Sequence, residues 1–268
     1  MTGNKPCGQS AFWMYRNCIV VLLANCVSMA AAEPSRATFA FDDFLLAPVR
    51  VHFLSAPEAP QLSTTLTDAD FDRILGKINR VWAQAGIQFY LESLVKEAPR
   101  NADQFPHPEI APGFRWMLEL CPKESQASNV FHLYYVKQMR GNGVYLGDAI
   151  FVKDTASLNP VPGGIDEPIP RVSSHEIGHA LKLDHRQNVT NLMASGTTGT
   201  WLNDDEIKQA REVAGKLPWV ETTPAVLKRA EVLRVAKQAR EAKAWYRRVA
   251  AIPLKTEQVE LAKKRLNE

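Results

Sequence analysis

The chain has 268 residues, of which 46% are hydrophobic and 23% are charged. This composition is typical of a folded globular protein and excludes a disordered or fibrous chain, and the length suits one domain with an extension. The formal net charge of +3 is too small to indicate nucleic-acid binding by itself. No run of basic residues alternates with aromatics along the main body, so we expect no nucleic-acid partner.

The first segment has the pattern of an export signal. Lys5 and Arg16 precede an apolar run over 18–24, and small residues follow up to Ala32. A basic start, a short apolar stretch and an Ala-x-Ala ending are the features that signal peptidase recognises. We therefore predict a signal peptide over residues 1–32, cleaved near Ala32, and a secreted or periplasmic mature protein. The alternative is an uncleaved N-terminal anchor, for which the apolar run is short.

The cysteine positions predict an exported protein without an internal disulfide. Three of the four cysteines lie in the predicted signal, so the mature chain keeps only Cys121. Such a protein depends for stability on its core and on any metal that it binds. We expect Cys121 to be a buried thiol, and the alternative is a latency thiol that caps a metal.

The segment after the signal predicts a strand, a helix and a second strand. Apolar residues alternate with polar ones over 49–53, which is the period of a half-buried strand. A cap at Thr67 opens an apolar pattern of helical period that ends at Gly86, and alternation resumes over 87–92. This order of elements predicts parallel pairing of the two strands through a right-handed crossover.

The next part of the chain predicts a long connection and the rest of a sheet. Residues 96–128 are rich in Pro, Asn and charge, and they predict a surface connection with one short helix near 114–120. A third strand is expected over 130–136, and two further strand elements over 144–152. A Pro/Gly-rich segment then leads to a helix that carries histidines, and a cap at Asn203 starts another helix.

The C-terminal segment predicts a basic helical extension. From Thr223 onward, the chain contains 12 Lys and Arg residues but only five Glu residues. Its apolar positions have helical spacing. We predict two helical stretches separated at Ile252, packed on the domain with a solvated basic face. Contact of residues 223–268 with an anionic surface or partner is the alternative. The predicted domains are 33–218 for the catalytic part and 219–268 for the extension.

The chemistry is concentrated between residues 175 and 185. Residues four apart share a helix face, so His175 and His179 can offer imidazole nitrogens to one ion while Glu176 points into the same cleft. His185 follows where the chain can leave the helix and fold back, and it supplies a third ligand. The pattern predicts one catalytic zinc ion, whose bound water loses its proton to Glu176 and attacks a polarised carbonyl.

Nearby acidic residues are alternative candidates for zinc ligands. Asp184 is the alternative to His185 as the third ligand. Asp205 and Glu206 are candidates for a distant carboxylate ligand. Their place in a helix cap explains them more simply.

A second cation is considered at Asp148 and Asp154. No complete ligand loop surrounds these residues in the sequence, so calcium is not predicted. The remaining histidines of the main body are interpreted as structural or surface residues: His52, His107 and His132.

The motif from His175 to His185 resembles the long zinc-binding motif of the metzincin metallopeptidases. In that family His-Glu-x-x-His-x-x-Gly-x-x-His is followed by a turn containing Met, and residues 191–195 resemble this turn, with Met193 as the floor beneath the zinc. The resemblance extends over 48–217 and is greatest to matrixin-like or reprolysin-like bacterial enzymes. It implies an α/β (α+β) metzincin-like zincin fold: a twisted mixed sheet with a long zinc helix and a Met-turn, plus the helical C-terminal extension.

The resemblance also implies a place for the substrate. The strand around 143–147 corresponds to the sheet edge that holds an extended peptide by backbone pairing. The expected substrate contacts are Gly143, Val144, Tyr145, Leu146 and Gly147. The implied function is that of a secreted zinc metalloendopeptidase that acts on peptide or protein substrates. The alternative is a secreted zinc-containing binding protein that acts through its basic tail without catalysis.

The chain departs from the family pattern at two points. Lys182 stands where the motif has Gly. The backbone there normally turns left-handed, which costs about 1 kcal/mol for a residue with a side chain. The turn at Lys182 is therefore expected to differ in shape from that of the family, with the ligand set intact. No Tyr closely follows Met193, so a tyrosine ligand is not expected.

Overall fold

A computed structural model describes residues 41, 43–147 and 149–268. The predicted signal peptide with its cleavage site, and Asp148, lie outside these residues. The strands are β1 (Leu45–Leu54), β2 (Ile87–Glu97), β3 (Phe131–Val136), β4 (Gly143–Tyr145), β5 (Ile150–Lys153) and β6 (Glu221–Thr222). The helices are α1 (Asp68–Trp82), α2 (Pro168–Ala180), α3 (Asp204–Gly215), α4 (Thr223–Val235), α5 (Ala239–Ala250) and α6 (Glu257–Leu266).

The strands form one mixed sheet in the order β2-β1-β3-β5-β4. β1 pairs in parallel with β2 and β3, and β3 pairs in parallel with β5. β4 runs antiparallel to β5 at the end of this order, and β6 runs antiparallel to the start of β1. The α/β fold class and the parallel pairing of the first two strands are confirmed.

Helix α1 forms as the sequence predicts because its ends carry specific signals. The Thr67 side chain accepts a hydrogen bond from the N–H of Asp70, and the Asp70 carboxylate accepts one from the N–H of Thr67. One turn of 3-10 helix follows α1. Gly86 ends this turn with a left-handed φ of 60°, and β2 begins at the next residue. The apolar face, which includes Phe71 and Trp82, is buried against the sheet. Burial of each such side chain stabilises the fold by about 2 kcal/mol.

Alternate residues of the strands face two separate apolar clusters. Leu133 and Tyr135 face the cluster that contains α1 and α2, whereas Tyr134 and Val136 face the long connection between β2 and β3. Cys121 lies in the second cluster, and burial raises the pKa of its thiol to about 11. The prediction of a buried thiol is confirmed. Because Cys121 is on the sheet face opposite α2, it cannot cap a metal held there.

The C-terminal segment contains three helices, so the prediction of two helical stretches is wrong. α4 ends where Lys237 adopts a left-handed φ of 60°, and the N–H of Gln238 donates to the carbonyl of Leu233 at 2.9 Å. This is a Schellman ending formed without the usual glycine, which is why the sequence pattern gives no sign of it. Within the described residues, no helix has the length and apolar composition needed to cross a membrane.

These three helices pack against the sheet where β1 begins. Phe44 and Leu46, at the start of β1, share an apolar cluster with Val226, Tyr246 and Val259. The packing predicted for the extension is therefore present. The domain boundary at residue 218 and the contact with an anionic partner stay predictions.

Two of the remaining histidines belong to a buried polar chain. His52 lies 2.5 Å from a Glu97 carboxylate oxygen through Nδ1, and 2.8 Å from Nδ1 of His132 through Nε2. Burial, with a contribution from His132, lowers the pKa of His52 to about 3. By contrast, the imidazole of His107 is exposed and lies 3.5 Å from Glu109. The interpretation of these histidines as structural or surface residues is confirmed.

Candidate metal centre

Helix α2 is held between the sheet and α1, and this fixes the direction of its histidines. Pro168 lies in its first turn, where a missing N–H costs nothing. The preceding residue, Glu167, accepts hydrogen bonds from Arg73 of α1, with its carboxylate also 2.9 Å from Lys77. Ile177 faces the core and is fully buried. The opposite side of the helix therefore presents its polar side chains to the cleft.

The three motif histidines converge on one point. The Nε2 atoms of His175 and His179 are 3.1 Å apart, those of His179 and His185 are 3.1 Å apart, and those of His185 and His175 are 3.2 Å apart. Nitrogen ligands at 2.0–2.1 Å in a tetrahedral zinc site are separated by about 3.3 Å. Among the described residues, these three histidines are the one cluster of at least three His, Cys, Asp or Glu that fits a metal site.

Hydrogen bonds to backbone carbonyls fix which nitrogen of each ring is free. His175 Nδ1 lies 2.8 Å from the carbonyl of Leu192, and His179 Nδ1 lies 2.9 Å from the carbonyl of Leu183. A carbonyl only accepts, so each Nδ1 carries the hydrogen and each Nε2 has a lone pair. Two lone pairs cannot hydrogen-bond each other. Their convergence with His185 fits a shared cation.

Glu176 is buried beside the triad. Burial raises the pKa of its carboxyl to about 8, while Arg171 and a hydrogen bond from the backbone of Tyr145 oppose this rise. A cation on the adjacent histidines would favour the carboxylate and lower this pKa. The side chain is thus a buried carboxyl in the cleft beside the histidines, where a proton can be taken up and released.

The turn after α2 brings His185 back to the helix. The N–H of Leu183 donates to the carbonyl of Gly178, and the N–H of Lys182 donates to the carbonyl of His179. Lys182 has a left-handed φ of 67°, so the chain keeps the turn of the family pattern, and the expected difference in shape is not observed. Asp184 is exposed and is not part of the cluster. His185 is therefore the third residue of the triad, as predicted.

Replacement Lys182→Gly is expected to raise the free energy of unfolding by up to about 1 kcal/mol, because glycine adopts the left-handed conformation without a steric cost. Chemical denaturation of both proteins measures this difference. Lys182→Ala is the matched control, since it removes the charge but retains the strained backbone. Equal stability of the Gly and Ala variants would contradict this explanation.

The Met-turn predicted over 191–195 packs under α2. Met193 is fully buried, and a Cβ added at Gly178 would lie 2.5 Å from its Sδ. Glycine at this position of the helix therefore allows close approach of the thioether. The Asn191 side chain accepts a hydrogen bond from the N–H of Met193 at 2.6 Å and closes the turn.

Arg171 ties this turn to the helix, and sequence analysis missed it. Its guanidinium is buried and donates to the carbonyls of Gly199, Asn191 and Ala194. Its Nη1 also lies 3.2 Å from Nδ1 of His175, but both are donors once Nδ1 binds its carbonyl, so this contact is not a hydrogen bond. The sequence does place Arg171 one helical turn before His175 on the same helix face, and this position is the signal that could have identified it.

Glu206 is a second residue that does more than the sequence predicts, which is to cap a helix. As expected, it caps α3 through the N–H of Asn203. Its buried carboxylate also accepts hydrogen bonds from Arg186 at 2.6 Å and from the Asn191 amide at 2.7 Å. It therefore connects the residue after His185 with the Met-turn and is not a metal ligand.

The edge strand β4 approaches the helix closely because residue 143 is glycine. A Cβ at Gly143 would lie 2.5 Å from Val172 and 2.8 Å from Glu176 Oε1. The ladder to β5 uses backbone groups of Asn142 and Leu146. The alternation in an antiparallel pair then directs the backbone of Gly143 and Tyr145 away from β5. A cleft of about 230 Å³ lies here, between β4, the triad and the Met-turn.

Of the two calcium candidates, the structure describes Asp154, which belongs to no cluster of at least three His, Cys, Asp or Glu among the described residues. One carboxylate oxygen of Asp154 accepts hydrogen bonds from the Thr64 hydroxyl and the N–H of Thr65. Asp154 therefore has a local structural role.

Asp205, a candidate for a distant carboxylate ligand, is exposed at the start of α3 and is not part of the histidine cluster.

No model of a known protein family matches the sequence, and no curated protein matches it. Among solved structures, the chain is similar to archaemetzincin from Methanopyrus kandleri, with a TM-score of 0.43, 14% identity, and coverage of 64% of this chain and 96% of that chain. It is also similar to a chain in the structure of a chaperone–substrate complex, with a TM-score of 0.40, 11% identity, and coverage of 65% and 35%. Similarity at this level says nothing about activity.

Proposed function

We propose that the chain is a zinc-dependent endopeptidase that is exported from the cell. The observation that carries the proposal is the triad itself. Three Nε2 atoms converge within 3.2 Å of one another, with a buried carboxylate, Glu176, beside them in a cleft bounded by a sheet edge. Imidazole ligands with an adjacent general base are the arrangement of zinc hydrolases.

His175, His179 and His185 would hold the ion. Bound there, zinc supplies a Lewis acid that polarises a carbonyl and lowers the pKa of water. The carbonyls of Leu192 and Leu183 keep the first two rings in the tautomer that binds metal. Arg171 and Met193 hold the turn that carries the first of these carbonyls under the helix.

Glu176 would act as the general base. Its carboxylate accepts a proton from the attacking water and delivers it to the departing amine. The hydrogen bond from the backbone of Tyr145 fixes the carboxylate relative to β4. The short distance to Gly143 places this carboxylate beside any peptide that pairs with the strand edge.

The β4 edge would hold the substrate. The backbone groups of Gly143 are directed away from β5, and an extended peptide adds to such an edge by main-chain pairing. Backbone pairing does not depend on side chains. The preference among cleavage sites would therefore come from pockets along the edge.

The noncatalytic alternative is a zinc-containing binding protein that acts through its basic tail. A closed site, in which Cys121 or another side chain fills the fourth position, would favour it, but Cys121 is on the other face of the sheet. His185 is exposed, so the triad is accessible from the cleft. An accessible position is what a catalytic zinc site needs.

The proposal is tested by metal content and peptide cleavage. We expect the purified chain to contain one zinc ion and to cleave a mixed peptide library. A chelator should abolish cleavage without changing the circular dichroism spectrum, and added zinc should restore it. Zinc binding without cleavage would favour the binding-protein alternative. Unfolding on chelation would assign the metal to structure.

A further inference from the structure

A second pocket of about 500 Å³ lies where β3 and β5 begin, beside the end of α2. Its walls include Phe131, His132, Tyr145, Ala180, Leu217 and Trp219. The volume is within the range of pockets that bind small molecules and exceeds what one aromatic side chain needs. The mechanism described above makes no use of it.

This pocket and the cleft at the triad are both lined by residues of β4 and α2. Gly143 lines the cleft at the triad, whereas Tyr145 and Gly147 line the second pocket. Ala180, directly after His179, also lines the second pocket. A strand advances about 3.3 Å per residue, so a peptide paired with β4 would pass from one pocket to the other within about four residues.

The chemical character of the pocket favours an uncharged side chain. None of its described lining residues is Asp, Glu, Lys or Arg. Trp219 packs edge-on against Phe131, with ring centroids 4.8 Å apart, so its ring is held in place. Fixed aromatic walls bind apolar and aromatic groups without a large ordering cost.

We propose that the second pocket is a substrate subsite that takes a large apolar or aromatic side chain of the peptide held along β4, about two to four residues from the scissile bond. This inference rests on the proposed peptidase function. It assigns the choice of cleavage site mainly to the pocket that contains Trp219.

Peptide binding tests the subsite separately from cleavage. The probe is a library of short peptides with blocked ends, and the protein is the Glu176→Gln variant. We expect bound peptides to be enriched in bulky apolar residues at one position, with an affinity preference over Ala on the order of tenfold. Adding Ser128→Trp, at the exposed rim of the pocket, should remove this preference.

The control variant is Asn129→Trp, which adds the same side chain at the neighbouring exposed residue outside the lining. It should retain the preference. Ser128→Leu repeats the test with a smaller side chain. Any of three results would overturn the subsite: equal preferences in the Ser128 and Asn129 variants, peptide binding without a positional preference, or no peptide binding. Cleavage by the unmodified chain decides the peptidase function independently.

Discussion

Replacement Glu176→Gln is expected to leave the zinc content unchanged and to lower kcat by a factor on the order of 10² to 10⁴. Glutamine has the same shape and can still accept the hydrogen bond from the backbone of Tyr145. Its amide cannot take a proton from water. The three histidines are oriented by other contacts, including the hydrogen bond of His175 to the carbonyl of Leu192, so the metal site should remain intact.

The measurement is kcat and KM on one cleaved peptide, with zinc content determined on the same samples. Asp184→Asn is the control, because this exposed carboxylate precedes His185 but lies outside the cluster. We expect the control to keep both zinc and activity. Activity near the parent level in the Glu176 variant would remove this residue from the mechanism. Loss of zinc in the control would restore Asp184 as a ligand.

The sequence predicts the histidine cluster well because its residues are close together in the chain. The spacing of His175 and His179 places them on one face of any helix. Helix signals at Thr67 and Asn203 also predict two helix starts correctly, since a cap acts within three residues of its own position.

Features that depend on distant contacts are missed. Arg171 binds carbonyls of a turn 20 to 28 residues later, and Glu206 binds Asn191 across 15 residues. Neither contact produces a periodic pattern in the local sequence. The break at Lys237 is missed for a different reason. A lysine stands where the usual signal is glycine, so only the packing of α4 and α5 shows that the chain reverses there.

The second pocket is also beyond sequence analysis. Its walls come from the starts of β3 and β5, the end of β4, the last residue of α2 and the segment after α3. These five parts are separate in the sequence and meet only in the folded chain. The edge strand, in contrast, follows from the resemblance, because both the motif and the strand occur in the expected order.

Replacement Glu206→Ala is expected to lower the free energy of unfolding by about 3 kcal/mol. The change removes the side-chain cap on the N–H of Asn203 and leaves the buried amide of Asn191 without its acceptor. The ion pair with Arg186 adds little, because the Arg186 side chain is 44% exposed and can be solvated by water. Chemical denaturation of parent and variant measures the loss.

The same replacement should weaken zinc binding by a factor of about 10 to 100, since Glu206 holds Arg186, which directly follows His185. Competition with a zinc chelator measures this affinity. Asp205→Ala is the matched control: it is one residue away in the same helix turn but exposed, and a surface change of this kind alters stability by no more than about 0.5 kcal/mol. If stability falls while zinc affinity is unchanged, Glu206 supports the fold alone. If both fall, the connection from α3 through Arg186 and Asn191 also positions the third ligand.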